Sequence, residues 1–204
     1  MFERLISGLS TAELSLATGS VQRSAAVLAL ISDRQDPDIL FTERSAKLSH
    51  HAGQISFPGG KKDQGDESAL ATALRETWEE IGLEERLIRP LGALPASDVP
   101  VSSFRVSPIV ALWSGEEILS PSQGEVSAIH RWKISELADP KNRVSWALDG
   151  RVGGPAWVFG ELFLWGFTAA VVDRLLEAGG WARPWRNDVV REVPERFGRP
   201  RRRQ

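Results

Sequence analysis

Apolar residues first gather in a continuous run from Ala25 to Ile31, and a second run, Ile39 to Thr42, follows across the polar stretch Ser32-Asp33-Arg34-Gln35-Asp36-Pro37-Asp38. Runs of this length bounded by turn residues predict two strands joined by a loop. Gln54 to Phe57 reads as a third, short strand. It stops at Pro58-Gly59-Gly60, where proline fixes one torsion and glycine admits positive ones, so the chain turns sharply. From Asp66 to Ile81 the period changes: Leu70, Ala73, Leu74, Thr77 and Ile81 recur three and four apart, as on a helix with one buried stripe. Asp66 is placed to cap that helix and Gly82 to stop it. Further strands are expected at Leu87 to Leu94, Phe104 to Trp113 and Val126 to Trp132, and the apolar segment Leu162 to Leu176 is long enough for a last helix. The order is that of a mixed α/β (α+β) chain. A single domain over residues 1–204 is expected, with an N-terminal helical extension (about 1–23) and a flexible Arg-rich tail (about 195–204).

Composition narrows the setting. A chain of 204 residues with 42% hydrophobic content can bury one good core. The absence of cysteine rules out disulfides and thiolate zinc, which fits a reducing cytoplasm. Met1 to Ser20 places Glu3, Arg4 and Glu13 among apolar residues, unlike a secretory signal, and no apolar run reaches the roughly 20 residues that span a bilayer. No membrane partner is expected. A formal net charge of -2 gives no general reason to bind nucleic acid, and Arg199, Arg201, Arg202 and Arg203 read as a solvated tail without a supporting basic motif elsewhere. Eight tryptophans, and the aromatics within Trp181 to Pro194, are candidates for a homodimer interface.

The chemistry lies on the helix. At 100° per residue, Glu76, Glu79 and Glu80 fall on one arc beside the apolar stripe. Like charges so spaced cost a few tenths of a kcal/mol per pair, so clustering them gains nothing for a bare helix. Hard divalent cations want such oxygen ligands, and magnesium sites combine a few carboxylates with substrate phosphates. A solvated acidic face is the ordinary alternative, but Gly59 and Gly60 just upstream would let backbone N–H groups approach an anionic ligand.

In order along the chain, Gly60, Glu67, Arg75-Glu76, Glu79-Glu80 and Gly82-Leu83 resemble the Nudix box, with six residues between Gly60 and Glu67 where the common form has five, and Thr77 where an aliphatic residue is usual. The resemblance implies an α/β/α sandwich with a mixed sheet and a catalytic loop-helix-loop. It also implies a hydrolase that splits a diphosphate bond with Mg2+ or Mn2+. On that pattern Glu76, Glu79 and Glu80 bind metal or activate water, while Glu67 and Arg75 hold loop and helix in register. Glu76 is then the first candidate for the general base and Glu125 the second.

Leu40-Phe41-Thr42-Glu43-Arg44-Ser45, Gly53 and Phe57-Pro58-Gly59-Gly60 further resemble the extra motif of the coenzyme A diphosphatase branch. That resemblance makes Arg44, with Gly59 and Gly60, the substrate-binding residues, and coenzyme A or acyl-CoA the substrate. The motif's second arginine would fall near Ser49, where His50 and His51 are the neighbouring alternatives. Leu164-Trp165-Gly166-Phe167-Thr168-Ala169, Glu125-Val126, Trp132 and Glu136-Leu137 extend the likeness over roughly residues 25 to 178. Two other readings stay open: hydrolysis of ADP-ribose or a dinucleotide, and a non-catalytic binding module of the same fold.

Overall fold

The computed structural model describes residues 2–15, 23–48, 51–100 and 103–197. Ser49, His50, Arg199, Arg201, Arg202 and Arg203 lie outside the described residues, as does the stretch 16–22 of the expected N-terminal extension. The described part of that extension forms two short helices, α1 (Glu3–Ser7) and α2 (Ala12–Ser15).

The apolar runs become the centre of a mixed sheet. Its strands are β1 (Ser24–Ser32), β2 (Asp38–Arg44), β3 (Ile55–Ser56), β4 (Gly59–Lys61), β5 (Arg89–Ala93), β6 (Ser97–Val99), β7 (Phe104–Trp113) and β8 (Val126–Lys133). They run in the order β3-β2-β1-β7-β5, with β4 pairing β1, β6 pairing β7 and β8 pairing β2. β1 and β7 are parallel over their whole length, from Ser24↔Arg105 to Ser32↔Trp113. Both faces of these strands are covered, which is why they read as unbroken apolar runs and not as alternation.

On one face, Leu28, Leu30, Leu40, Ile109 and Ala111 pack against helix α3 (Ala69–Ile81) through Ala69, Ala73, Leu74 and Ile81. The cap of α3 is Ser68, whose Oγ accepts the Ala71 N–H at 3.1 Å; Asp66 is turned elsewhere. Gly82 ends the helix with φ 71, as its position after the last apolar residue implies. Thr77 is fully buried, its hydroxyl donating to the Ala73 carbonyl at 2.7 Å, so a threonine fits the aliphatic slot without an unmet polar group.

The other face, with Ala29, Ile31, Ile39, Phe41, Val110 and Leu112, is covered by helix α5 (Gly166–Gly179) and by a second sheet. After the short helix α4 (Ile134–Leu137), the strands of that sheet are β9 (Arg143–Leu148), β10 (Arg151–Phe159), β11 (Leu162–Leu164) and β12 (Val190–Glu192), in the order β11-β10-β9-β12. Helix, mixed sheet and helix form the expected sandwich, and the second sheet is additional to it.

Two boundaries change. The segment Leu162 to Leu176 is not one helix: Leu162–Leu164 pairs with β10, Trp165 is extended, and α5 starts at Gly166. The segment Leu87 to Leu94 opens with a 3-10 turn at Glu85–Leu87, and only Arg89–Ala93 is strand.

Candidate active site

The loop between β4 and α3 is tied down by one cation. Arg75 Nε donates to Asp66 Oδ1 at 3.1 Å and Nη2 to Asp66 Oδ2 at 3.0 Å, a bidentate pair. Nη2 also donates to the Lys61 carbonyl at 2.9 Å, and Nη1 reaches Glu76 Oε1 at 3.1 Å and Glu79 Oε2 at 2.9 Å. The guanidinium beside Asp66 holds that carboxyl down at about 2, although burial opposes the shift. Asp66 in turn keeps Arg75 charged, raising its pKa. The expected register partner, Glu67, is exposed and makes no hydrogen bond or ion pair among the described residues. Five residues, 61–65, separate Gly60 from Asp66. The box spacing is therefore met by the aspartate, and the extra residue is Glu67, turned outward.

Beyond Arg75, the helix carboxylates divide. Glu80 is 3% exposed, and its Oε2 accepts the Gly59 N–H at 3.2 Å. Burial pushes its carboxyl up to about 8, against the pull of that hydrogen bond and of Arg44; Glu76 and Glu125 add like charge. Glu76 is likewise raised, first by burial, then by Glu79 and Glu125, while Arg75 opposes the shift. Its carboxylate lies directly on Gly60, where a β-carbon would stand 2.4 Å from the carboxyl carbon. Gly59, at φ 148, is pressed on β1: a β-carbon there would meet the Ala26 carbonyl oxygen at 2.3 Å and the Val27 Cα at 2.6 Å. Both glycines are demanded by close approach. Glu79 is half exposed and drawn to Arg75.

Arg44, at the end of β2, points into this group from the sheet. Its Nη1 is 4.0 Å from Glu80 Oε1, and its Nε is buried without a hydrogen-bond partner among the described residues. A part-exposed guanidinium whose buried Nε has no partner, beside the start of β4 at Gly59, has the chemistry to receive a phosphate oxygen. Glu125 sits just before β8, exposed, and its carbonyl accepts the Ser45 N–H at 2.7 Å beside Arg44.

Glu76, Glu80, Glu125, Gly59, Gly60 and Arg44 thus meet in one place, with Glu79 at its rim. Among the described residues no three carboxylates or imidazoles are gathered closely enough to hold a metal ion as they stand. The donor chemistry nevertheless fits a hard divalent cation. The donors are carboxylate oxygens alone, and the like charges of Glu76, Glu80 and Glu125 destabilise one another where a cation would relieve them. A groove of about 470 Å³ runs along the outer side of α3, lined by Ala71, Leu74, Arg75, Trp78, Glu84 and Glu85, and of the residues of the site only Arg75 borders it.

His51 is exposed and hydrogen-bonded to Gln54 Oε1 at 3.0 Å. Trp165 packs edge-on to Trp146 in the second sheet, as a wall residue. Trp181 packs edge-on to Phe2, and Trp185 covers Arg143, so both find partners within the chain. Asp66 is the member of the site that helix-period reasoning missed, although its five-residue offset from Gly60 was available as a signal.

Comparison with known proteins gives the family and the fold. A NUDIX domain family model matches residues 22–148. Nudix hydrolase NudL of Pectobacterium atrosepticum is 35% identical over 158 residues, covering 76% of this chain and 81% of that protein. NudL of Klebsiella pneumoniae subsp. pneumoniae is 37% identical over 171 residues, covering 80% and 85%. Among solved structures, the Nudix hydrolase RenU of M. smegmatis superposes with a TM-score of 0.56 at 18% identity, over 80% of this chain and 89% of that one. At that identity the match speaks for the fold.

Proposed function

The chain belongs to the Nudix hydrolase family, acting on diphosphate-containing compounds, and from that premise we propose that its substrate is coenzyme A or an acyl-CoA. The products would be adenosine 3′,5′-bisphosphate and (acyl-)4′-phosphopantetheine. The observation that carries the reading is Arg44. The motif that singled it out in the sequence lies on the strand whose end faces Glu80 and the Gly59-Gly60 turn, and the guanidinium keeps an unpartnered buried donor there.

Glu76 and Glu80, with Glu79 swinging in from the rim, are the residues that would hold Mg2+ or Mn2+. A cation bound there supplies charge neutralisation of the phosphoryl oxygens and a lowered pKa for water. Water attacks one phosphorus in line, the bond to the bridging oxygen breaks, and the second phosphate leaves, with no covalent enzyme intermediate. Glu76 accepts the proton of the attacking water, and Glu125 is the second candidate for that task. Arg75 orients Glu76 and Glu79 through its hydrogen bonds while its own position is fixed by Asp66. Gly59 and Gly60 shape the substrate side of the site: Gly59 lets β4 lie against β1, and Gly60 leaves room for the Glu76 carboxylate. With no cysteine in the chain, a reducing cytoplasm suits the protein.

The competing substrate is another nucleoside diphosphate derivative, such as ADP-ribose or a dinucleotide, and the serine at position 49 keeps it in view. Product analysis of the purified protein with Mg2+ or Mn2+ against coenzyme A, ADP-ribose and dinucleotides decides. Cleavage of coenzyme A to the two products named, lost in Glu79→Gln and Glu80→Gln, is the expected result. Preferential hydrolysis of another diphosphate would overturn the substrate, and binding without turnover would leave a binding module.

A further inference from the structure

Glu125 reaches the site without a side-chain partner. It is exposed and its carboxylate makes no hydrogen bond or ion pair among the described residues, yet its charge is felt at both Glu76 and Glu80. Its place is therefore set by the backbone. The chain that carries it, residues 114–125 between β7 and β8, is laid across the end of α3. The Ser120 N–H donates to the Ile81 carbonyl at 2.9 Å, and the Ser122 N–H donates to the carbonyl of Glu80 itself at 2.8 Å. These carbonyls belong to the last turn of the helix, which has no partners of its own for them. On the other side, the Glu125 carbonyl accepts the Ser45 N–H at 2.7 Å, next to Arg44 at the end of β2. Glu125 thus hangs between one tether on the helix of carboxylates and another on the strand of the arginine.

Gly124 is the joint between the two tethers. Its φ is 106, and a β-carbon built on it would meet nothing within 4 Å. Packing therefore does not ask for glycine there; the path of the backbone does. The N–H groups of Glu125 and Val126 both turn back to the Ser122 carbonyl, at 3.3 Å and 3.2 Å, so the reversal is complete within a few residues. Gly160 makes the same demand in another place. Its φ is 60, it too stands in open space, and a glutamate, Glu161, follows it, but it lies in the hairpin between β10 and β11, away from the site.

We infer that Gly124 is a positioning residue for the hydrolysis: its backbone turns the chain from the end of α3 to the end of β2 and so holds Glu125 beside Glu76 and Glu80. A side chain at this position shifts φ and swings Glu125 away from the attacking water. The inference rests on the proposed reading in which Glu125 takes part in turnover.

The test is a double-variant cycle of Gly124→Ala, Glu125→Gln and the two combined, with Gly160→Ala as control, on the diphosphate that the wild-type chain cleaves in Mg2+. Readouts are kcat, KM, Tm and hydrogen exchange at the Ser45 amide. Gly124→Ala should lower kcat by at least about tenfold with KM held within about twofold, and should speed Ser45 exchange by about tenfold. Glu125→Gln should lower kcat at least as much and leave Ser45 exchange unchanged. The combined variant should match Glu125→Gln within about twofold, because a displaced glutamine has nothing further to lose. Gly160→Ala should lose as much Tm as Gly124→Ala and keep its kcat. Gly124→Asn, whose side chain tolerates positive φ better, should recover part of kcat, and it replaces alanine in the cycle if the alanine variant does not fold. Losses that add in the combined variant, or an unchanged kcat in Gly124→Ala, would overturn the inference. If Glu125→Gln alone retains kcat, the role of Glu125 falls and the inference with it, while loss of hydrolysis in Glu80→Gln leaves the hydrolase reading standing.

Discussion

Asp66 and Glu67 are adjacent carboxylates with opposite fates, since only Asp66 meets Arg75. Asp66→Asn is expected to cost stability while Glu67→Gln is nearly silent, as read from urea midpoints of the two variants. The pH dependence follows. Asp66 is held below its unfolded value of 3.8, at about 2, so its contribution is complete above pH ~4 and is lost as pH falls towards 2. The shift corresponds to about 2 kcal/mol. Wild type should lose that stability over this window, and Asp66→Asn should show a flatter profile there. An equal slope in both proteins would contradict the pairing. The two glycines also separate. Gly60→Ala pushes only on the mobile end of Glu76, so the protein should fold with near-normal thermal stability yet lose at least about tenfold in kcat. Gly59→Ala drives a β-carbon into the backbone of β1 and should fail to give a stable fold. Helical spacing put Glu76, Glu79 and Glu80 on one face, and the resemblance to the box singled them out with Arg75. The choice of Asp66 over Glu67 was decided by the path of the loop, which spacing from the helix side does not report.

Helix α3 and the central strands were legible because their periods are clean and their ends carry glycine or proline. The second sheet was not. In β9 and β10, Arg143, Gly153, Gly154 and Pro155 interrupt the alternation that would mark strands, and β10 carries a register shift between Val152 and Pro155. What holds these strands is side-chain stacking: Trp146 fills the space over Gly153, where a β-carbon would lie 2.1 Å from its ring. Arg143 is buried between Trp157, at 5.0 Å, and Trp185, at 4.3 Å, and pairs with Asp173 of α5. Burial lowers the Arg143 pKa, and Asp173 opposes that shift. Removing the partner strands a charge in a poorly hydrated place, so Asp173→Asn should destabilise by about 1–3 kcal/mol, less than for a fully buried pair because Asp173 is partly exposed. Chemical denaturation checks this. Turnover at saturating substrate should stay within about twofold, since the pair lies between the second sheet and α5 and not among the residues around Glu80.

At the scale of the molecule, the mixed sheet is a partition. One face carries α3 with its carboxylates, and the other packs on α5 and the second sheet, which lead the chain back to the loop beside Arg44. No described helix is long and apolar enough to cross a membrane. The mixed α/β order was readable from the periods and the sandwich was implied by the resemblance to the Nudix box, whereas the return of the C-terminal segment to Gly53 rests on Phe197, a single aromatic in a polar stretch. A cation held by the carboxylates of α3, as proposed, would stabilise the fold by mass action. Mn2+ at about a hundred times its dissociation constant should add about 2.7 kcal/mol to the stability of the wild type, seen as a rise in Tm, and far less to Glu76→Gln.

On the proposed mechanism Glu80, buried against Gly59, serves diphosphate hydrolysis and not the fold. Its most direct test is kcat/KM of Glu80→Gln for coenzyme A in Mg2+ beside the metal-free thermal stability of the same variant. Glutamine keeps an acceptor for the Gly59 N–H and is neutral, like the protonated carboxyl that burial favours in Glu80 at neutral pH, so the metal-free Tm should not fall. Hydrolysis should drop by at least about a hundredfold. Retained turnover in that variant, or collapse of its fold, would contradict the account.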